Sequence, residues 1–152
     1  MRIESTELRV KVNSFYEAEN YDGIGNLEQI TIFERRNSVQ DNTMKYGCVT
    51  WMFSGDMKKV EEFTENPLRP SGYKEVEDPQ EGDYITYFFP ARFNKYFFDM
   101  DPPIAAHSGI YIGNGRVRSK FRESYVYDHP LEAVPLHYGS EVKFFRKIET
   151  AI

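Results

Sequence analysis

A chain of 152 residues with 40% hydrophobic and 28% charged residues has the size and balance of one globular domain, able to bury a core without disulfides or metals. Its net charge of −5 argues against a phosphate-tracking nucleic-acid binder, and no apolar run approaches the roughly 18 residues of a membrane span. A single cysteine permits no internal disulfide, and the opening Met1-Arg-Ile-Glu-Ser-Thr-Glu-Leu8 lacks the apolar core of a secretory signal. Cytoplasmic synthesis is therefore expected, with any delivery elsewhere by a non-classical route.

Residues 7–15, Glu-Leu-Arg-Val-Lys-Val-Asn-Ser-Phe, alternate apolar and polar positions and predict a half-buried strand with Leu8, Val10 and Val12 on one face. After the turn-rich stretch 20–26, Gln29-Ile-Thr-Ile-Phe33 reads as a second strand, so residues 1–40 are expected to form an N-terminal β-hairpin extension. The polar stretch 35–43 reads as a loop feeding a short helix in which Cys48, Trp51 and Met52 share a face. Asp56 is the predicted N-cap of a second helix to Glu65, with Val60 and Phe63 inward and Asn66-Pro67 closing it.

Residues 66–82, rich in Pro and Gly, predict a loop, and Asp83-Tyr-Ile-Thr-Tyr-Phe-Phe89 a strand ended by Pro90. Residues 91–103 hold Phe93, Tyr96, Phe97, Phe98 and Met100, which either form an exposed binding lip or fold back onto the core. A hairpin is expected over 104–121, a helical turn from Asp128-His129-Pro130 to Val134, and a closing strand over Glu141-Val-Lys-Phe-Phe-Arg-Lys147.

The chemistry-bearing pair is Cys48 and His107. A cysteine in the first turn of a helix meets unpaired N–H groups and the positive end of the helix dipole, both of which favour the thiolate. Gly47 before it lets a substrate carbonyl approach the backbone, where the Cys48 N–H serves an oxyanion, and Tyr46 offers a side-chain donor. Tyr46, Gly47 and Trp51 are the expected substrate-binding residues. The competing role for Cys48 is that of a small apolar core group beside Trp51. His107, on a strand behind the small Ala105-Ala106, is held rigidly enough for general-base work, the alternative being a merely structural histidine. If Asn114-Gly115 is a two-residue turn, Ile112 pairs with Val117 and Ser119 falls on the face opposite His107. If Gly113-Asn-Gly115 is a three-residue loop, Gly109 pairs with Ser119, which then lies diagonally beside His107 and can orient it. Glu123, Asp128 and His129 are rival orienting groups.

Three ordered pieces resemble the NlpC-type cell-wall cysteine peptidases, a branch of the papain-like fold: Tyr46-Gly-Cys-Val-Thr-Trp51, Pro79-Gln-Glu-Gly-Asp-Tyr-Ile-Thr-Tyr-Phe-Phe89, and His107-Ser-Gly-Ile-Tyr-Ile-Gly-Asn-Gly-Arg116. The likeness covers roughly residues 41–122. It implies an α+β, papain-like fold, with short helices packed on an antiparallel sheet, the Cys48 thiol facing His107 and Ser119 in the third catalytic position. It also favours the three-residue loop. Gly47 and Val49 stand where the family commonly has Asp and Ser, and Ser119 where it has His, Asn or Gln.

A cysteine hydrolase cleaving a peptide or peptidoglycan-like amide is thus expected, acting on a peptide or protein without cofactor, metal, nucleic acid or membrane. The alternatives are a catalytically inactive binding module that uses the aromatic lip, and a deamidase or transamidase acting on protein glutamines. Oligomeric state has no signature in the sequence.

Overall fold

A computed structural model of the chain describes residues 1–35, 47–122 and 124–149. The architecture is α+β, a large antiparallel sheet with a few helices. The strand expected over residues 7–15 is instead a helix, α1 (Glu7–Glu17), whose N-cap Thr6 accepts a hydrogen bond from the Arg9 N–H at 3.1 Å. A period of two and a period near four coincide at Leu8 and Val12. Tyr16, buried four residues further on, breaks the tie for the helix, while Val10 is left 49% exposed. The turn-rich stretch contains a short α2 (Tyr21–Gly25), capped where the Asn20 side chain accepts from the Gly23 N–H.

The strand predicted at residues 29–33 exists as β1 (Thr31–Glu34), but it pairs with a strand far along the chain, Thr31 facing Asp128. The N-terminal hairpin extension is therefore corrected to two helices followed by a sheet-edge strand over the described part of residues 1–40. Both central helices match expectation as α3 (Gly47–Met52) and α4 (Met57–Thr64). Ser54 and Gly55, both at positive φ (52° and 81°), part them, and the Asp56 carboxylate caps α4 by accepting from the Lys59 N–H. Val60 and Phe63 are buried as predicted.

The expected loop 66–82 conceals a short edge strand, β2 (Tyr73–Val76), whose four residues sit between turn-forming neighbours and so carry almost no periodic signal. The aromatic strand is β3 (Tyr84–Phe89). It is flanked on both sides and is buried continuously from Ile85 to Phe88, as a central strand must be. Strands β4 (Arg92–Asn94) and β5 (Asp99–Asp101) form a separate two-stranded hairpin, followed by β6 (Ile104–Gly113) and β7 (Arg116–Lys120).

The helical turn expected from Asp128 is replaced by a strand, β8 (Val126–Pro130). The Asp128 carboxylate caps nothing there and is held by the Arg118 guanidinium at 2.7 and 2.9 Å. A 3₁₀ turn (Leu136–Tyr138) precedes the last strand, β9 (Glu141–Lys147), which has its predicted bounds. Seven strands make one sheet in the order β1-β8-β7-β6-β3-β9-β2, every pairing antiparallel.

Two apolar clusters pack on this sheet. Val12, Tyr16 and Ile24 from α1 and α2 meet Ile85, Tyr87, Val117, Phe121 and Tyr127. Val49, Met52, Phe53, Val60 and Phe63 from α3, α4 and the turn between them meet Tyr73, Tyr84 and Ile110. Alternation along the strands separates the two sets, with Tyr84 in the second cluster and Ile85 in the first. Among the described residues no helix is long and apolar enough to cross a membrane.

Candidate active site

The β6–β7 hairpin decides what stands beside His107. Asn114 and Gly115 both have positive φ (54° and 73°), which makes a two-residue turn closed by the pair Gly113 and Arg116. A bulge between Tyr111 and Gly113 then shifts the register, so Tyr111 faces Val117 and Ile110 faces Arg118. Continued by one step, this register sets Gly109 against Ser119. A Cβ added at Gly109 would lie 2.8 Å from the Ser119 Cβ, which is why the position is glycine. The turn is thus the two-residue one, and the register beyond the bulge is that of the three-residue loop.

Ser119 stands in the predicted strand position, but its hydroxyl is committed elsewhere. It lies 2.8 Å from Nε2 of His129, whose Nδ1 lies 2.7 Å from the Pro130 carbonyl. The carbonyl can only accept, so Nδ1 carries the proton and the Ser119 hydroxyl donates to Nε2. Both side chains are fully buried. Burial lowers His129 to about 4, against the opposing pull of the Pro130 carbonyl and Asp128.

No hydrogen bond orients the His107 ring through Nε2, which is buried without a partner. Aromatic packing holds it instead: Tyr138 stacks at 4.2 Å and 19°, Phe121 meets it edge-on at 5.8 Å, and Tyr87 lies tilted at 5.6 Å. Burial, reinforced by His129 and His137, pushes this imidazole well below its ordinary value, so His107 is neutral at neutral pH and available as a base. The Ser119-to-His107 hydrogen bond expected from the sequence is therefore not made.

Cys48 sits in the first turn of α3, packed with the second apolar cluster, whereas the His107 ring partners belong to the first. The residue is half-buried, but burial of its sulfur pushes the thiol above the usual range. The backbone N–H groups of Ser108, Val49 and Cys48 itself favour the thiolate, with help from the Lys120 charge. Cys48 and His107 come together along the walls of two cavities. The first, of about 310 Å³, is lined by Gly47, Cys48, Ala106, His107, Arg122, His137 and Tyr138. The second, of about 470 Å³, shares Cys48, Ala106 and His107 and is otherwise mainly apolar, with Val49, Pro67, Pro103 and Ile104.

Gly47 lines the first cavity. Trp51 lines neither and stands edge-on to Phe33 at 6.5 Å. Tyr46 and Glu123 lie outside the described residues. Asp128 is occupied by Arg118, and His129 by Ser119 and Pro130, so neither orients His107. Sequence reasoning missed Arg122, His137 and Tyr138 as cavity walls. The one available signal is the scarcity of histidine, since the other two of the three in the chain both act electrostatically on His107. Among the described residues no group of His, Cys, Asp and Glu side chains could hold a metal ion. Set against family models, curated proteins and solved structures, the chain matches none of them.

Proposed function

We propose that the chain is a cysteine hydrolase of papain-like arrangement that cleaves an amide bond of a peptide or peptidoglycan-like substrate by acyl transfer through Cys48. The observation that carries this reading is that the only thiol and a neutral, buried imidazole border the same two cavities. His107 takes the thiol proton as the sulfur attacks the carbonyl carbon, and backbone N–H groups beside Cys48 hold the oxyanion. The C–N bond then breaks as the imidazolium returns its proton to the leaving amine. Water, deprotonated by His107, cleaves the thioester and releases the acid, and the proton returns to sulfur.

With the thiol pushed up and the imidazole pushed down, the resting pair is neutral thiol and neutral imidazole, not an ion pair. The Cys48-to-His107 hydrogen bond belongs to the substrate complex, as catalytic contacts often do. The test is release of new amines from a peptide or peptidoglycan digest. Wild-type protein is expected to release them and a folded Cys48→Ala variant is not. Equal release by both would dispose of the hydrolase.

One observation favours a second reading, a binding module. Tyr96, Phe97 and Phe98 at the tip of the β4–β5 hairpin are 80%, 76% and 82% exposed, far more than folding requires. On that reading Cys48 is inert, and rapid labelling of the native thiol by iodoacetamide would count against it.

A further inference from the structure

We propose that the smaller cavity beside Cys48 is an anion subsite in which Arg122 and His137 hold a carboxylate carried by the substrate next to the scissile amide. This rests on the hydrolase reading and narrows its substrate class.

Three of the seven residues lining that cavity, His107, Arg122 and His137, are basic in character, and none carries a carboxylate. Arg118 and Arg146 are each held by an aspartate, Asp128 and Asp83, whereas the Arg122 guanidinium has no carboxylate partner among the described residues. It stands 5.9 Å from the Tyr16 ring centroid. Its backbone is in the left-handed region at φ 52°, a conformation usually left to Gly or Asn, and its carbonyl accepts from the Lys120 ammonium, while the side chain is exposed.

His137 reaches the same space from the 3₁₀ turn. That turn is anchored by the Leu136 N–H to Asn13 Oδ1 (2.9 Å) and by Arg9, which donates to the carbonyls of Val134, Pro135 and Gly139. Tyr16 and Tyr138 hold the ring at 5.1 and 5.2 Å. Burial and the Arg122 charge keep His137 below its usual value, with Glu17 pulling the other way. Glu17 is on the last turn of α1 and does not line the cavity. Arg122 thus supplies the charge and His137 a neutral N–H donor, a pair suited to one carboxylate. The larger cavity shares Cys48, Ala106 and His107 with the smaller one and is also walled by Val49, Pro67, Pro103 and Ile104. The substrate class that follows is an amide with a carboxylate-bearing group on one side of the scissile bond and an apolar residue on the other.

The test uses two alkylating agents of nearly the same shape, iodoacetate and iodoacetamide, each of which joins the Cys48 sulfur with loss of iodide. The ratio of the iodoacetate rate to the iodoacetamide rate is expected to fall about tenfold in Arg122→Gln and to be largely kept in Arg122→Lys. An equal ratio in wild type and Arg122→Gln overturns the subsite. A thiol that neither reagent labels sinks the hydrolase reading, and a second arm then decides the subsite alone. In Cys48→Ala protein, N-acetylglutamate α-amide, which carries one carboxylate, is expected to shift the His137 ring resonances and the neutral N-acetylglutamine α-amide is not, with the shift lost on adding Arg122→Gln. No shift, or equal shifts with the two compounds, overturns the inference.

Discussion

Acidification should unfold this protein through His129. The fully buried ring has its Nδ1 proton on the Pro130 carbonyl and its Nε2 accepting from Ser119, so no acceptor is available for a second proton. Its folded value is about 4, against an ordinary value of 6.5. Between those two values the unfolded chain binds the proton and the folded one does not, so stability is full above pH 6.5 and falls as the pH drops towards 4. A displacement of about 2.5 units at 1.36 kcal/mol per unit makes the loss about 3 kcal/mol. Asp83, lowered by Arg146 and the Gln80 N–H against its own burial, loses its contribution only below its usual value of 3.8. His107 has the same sign as His129, so a variant is needed to separate them. Urea unfolding of wild type and His129→Gln from pH 7 to pH 4 makes the comparison. Wild type should lose about 3 kcal/mol more than the variant over that range. Parallel curves, or stability rising on acidification, would refute the assignment.

Alkylation of Cys48 by iodoacetamide should rise with pH and stay unsaturated at pH 9.0, because burial pushes the thiol above that usual value, and a rate already flat in mild acid would mean an ion pair instead. Arg9→Met removes the donors serving Val134, Pro135 and Gly139, and should cost about 3 kcal/mol in urea unfolding while loosening the His137 wall. A loss below about 1 kcal/mol would mean that water serves those carbonyls equally well. Gly109→Ala puts a methyl 2.8 Å from the Ser119 Cβ and 2.9 Å from the Arg118 carbonyl oxygen, so about 1–3 kcal/mol of destabilisation is expected, and a neutral effect would contradict the register.

The α3–α4 segment was legible because its signals are local: an aspartate cap, a Ser-Gly break and inward residues at helical spacing. The aromatic β3 and the last strand were legible from composition, as β-branched and aromatic runs bounded by turns. Where local signals were degenerate, tertiary context decided. Leu8 and Val12 fit both periods, and only burial of Tyr16 against Phe121 and Tyr138 selects the helix. One of the two hairpin registers open in the sequence sets Ser119 diagonally beside His107, but its partner is not legible, because Asp128-His129-Pro130 reads as a helical turn and so puts His129 on no neighbouring strand. Arg122 had no sequence signature at all. It lines the Cys48 cavity only because the fold sets it beside His137 and Tyr138 of the 3₁₀ turn.

The most direct measurement is the intact mass of the protein, quenched in acid while it consumes a peptide or peptidoglycan digest. An acyl adduct on Cys48, absent from Cys48→Ala and suppressed by about a hundredfold or more in His107→Gln, is the predicted result. Substrate consumed with no adduct at Cys48, or an adduct that forms equally well without the His107 imidazole, would contradict it.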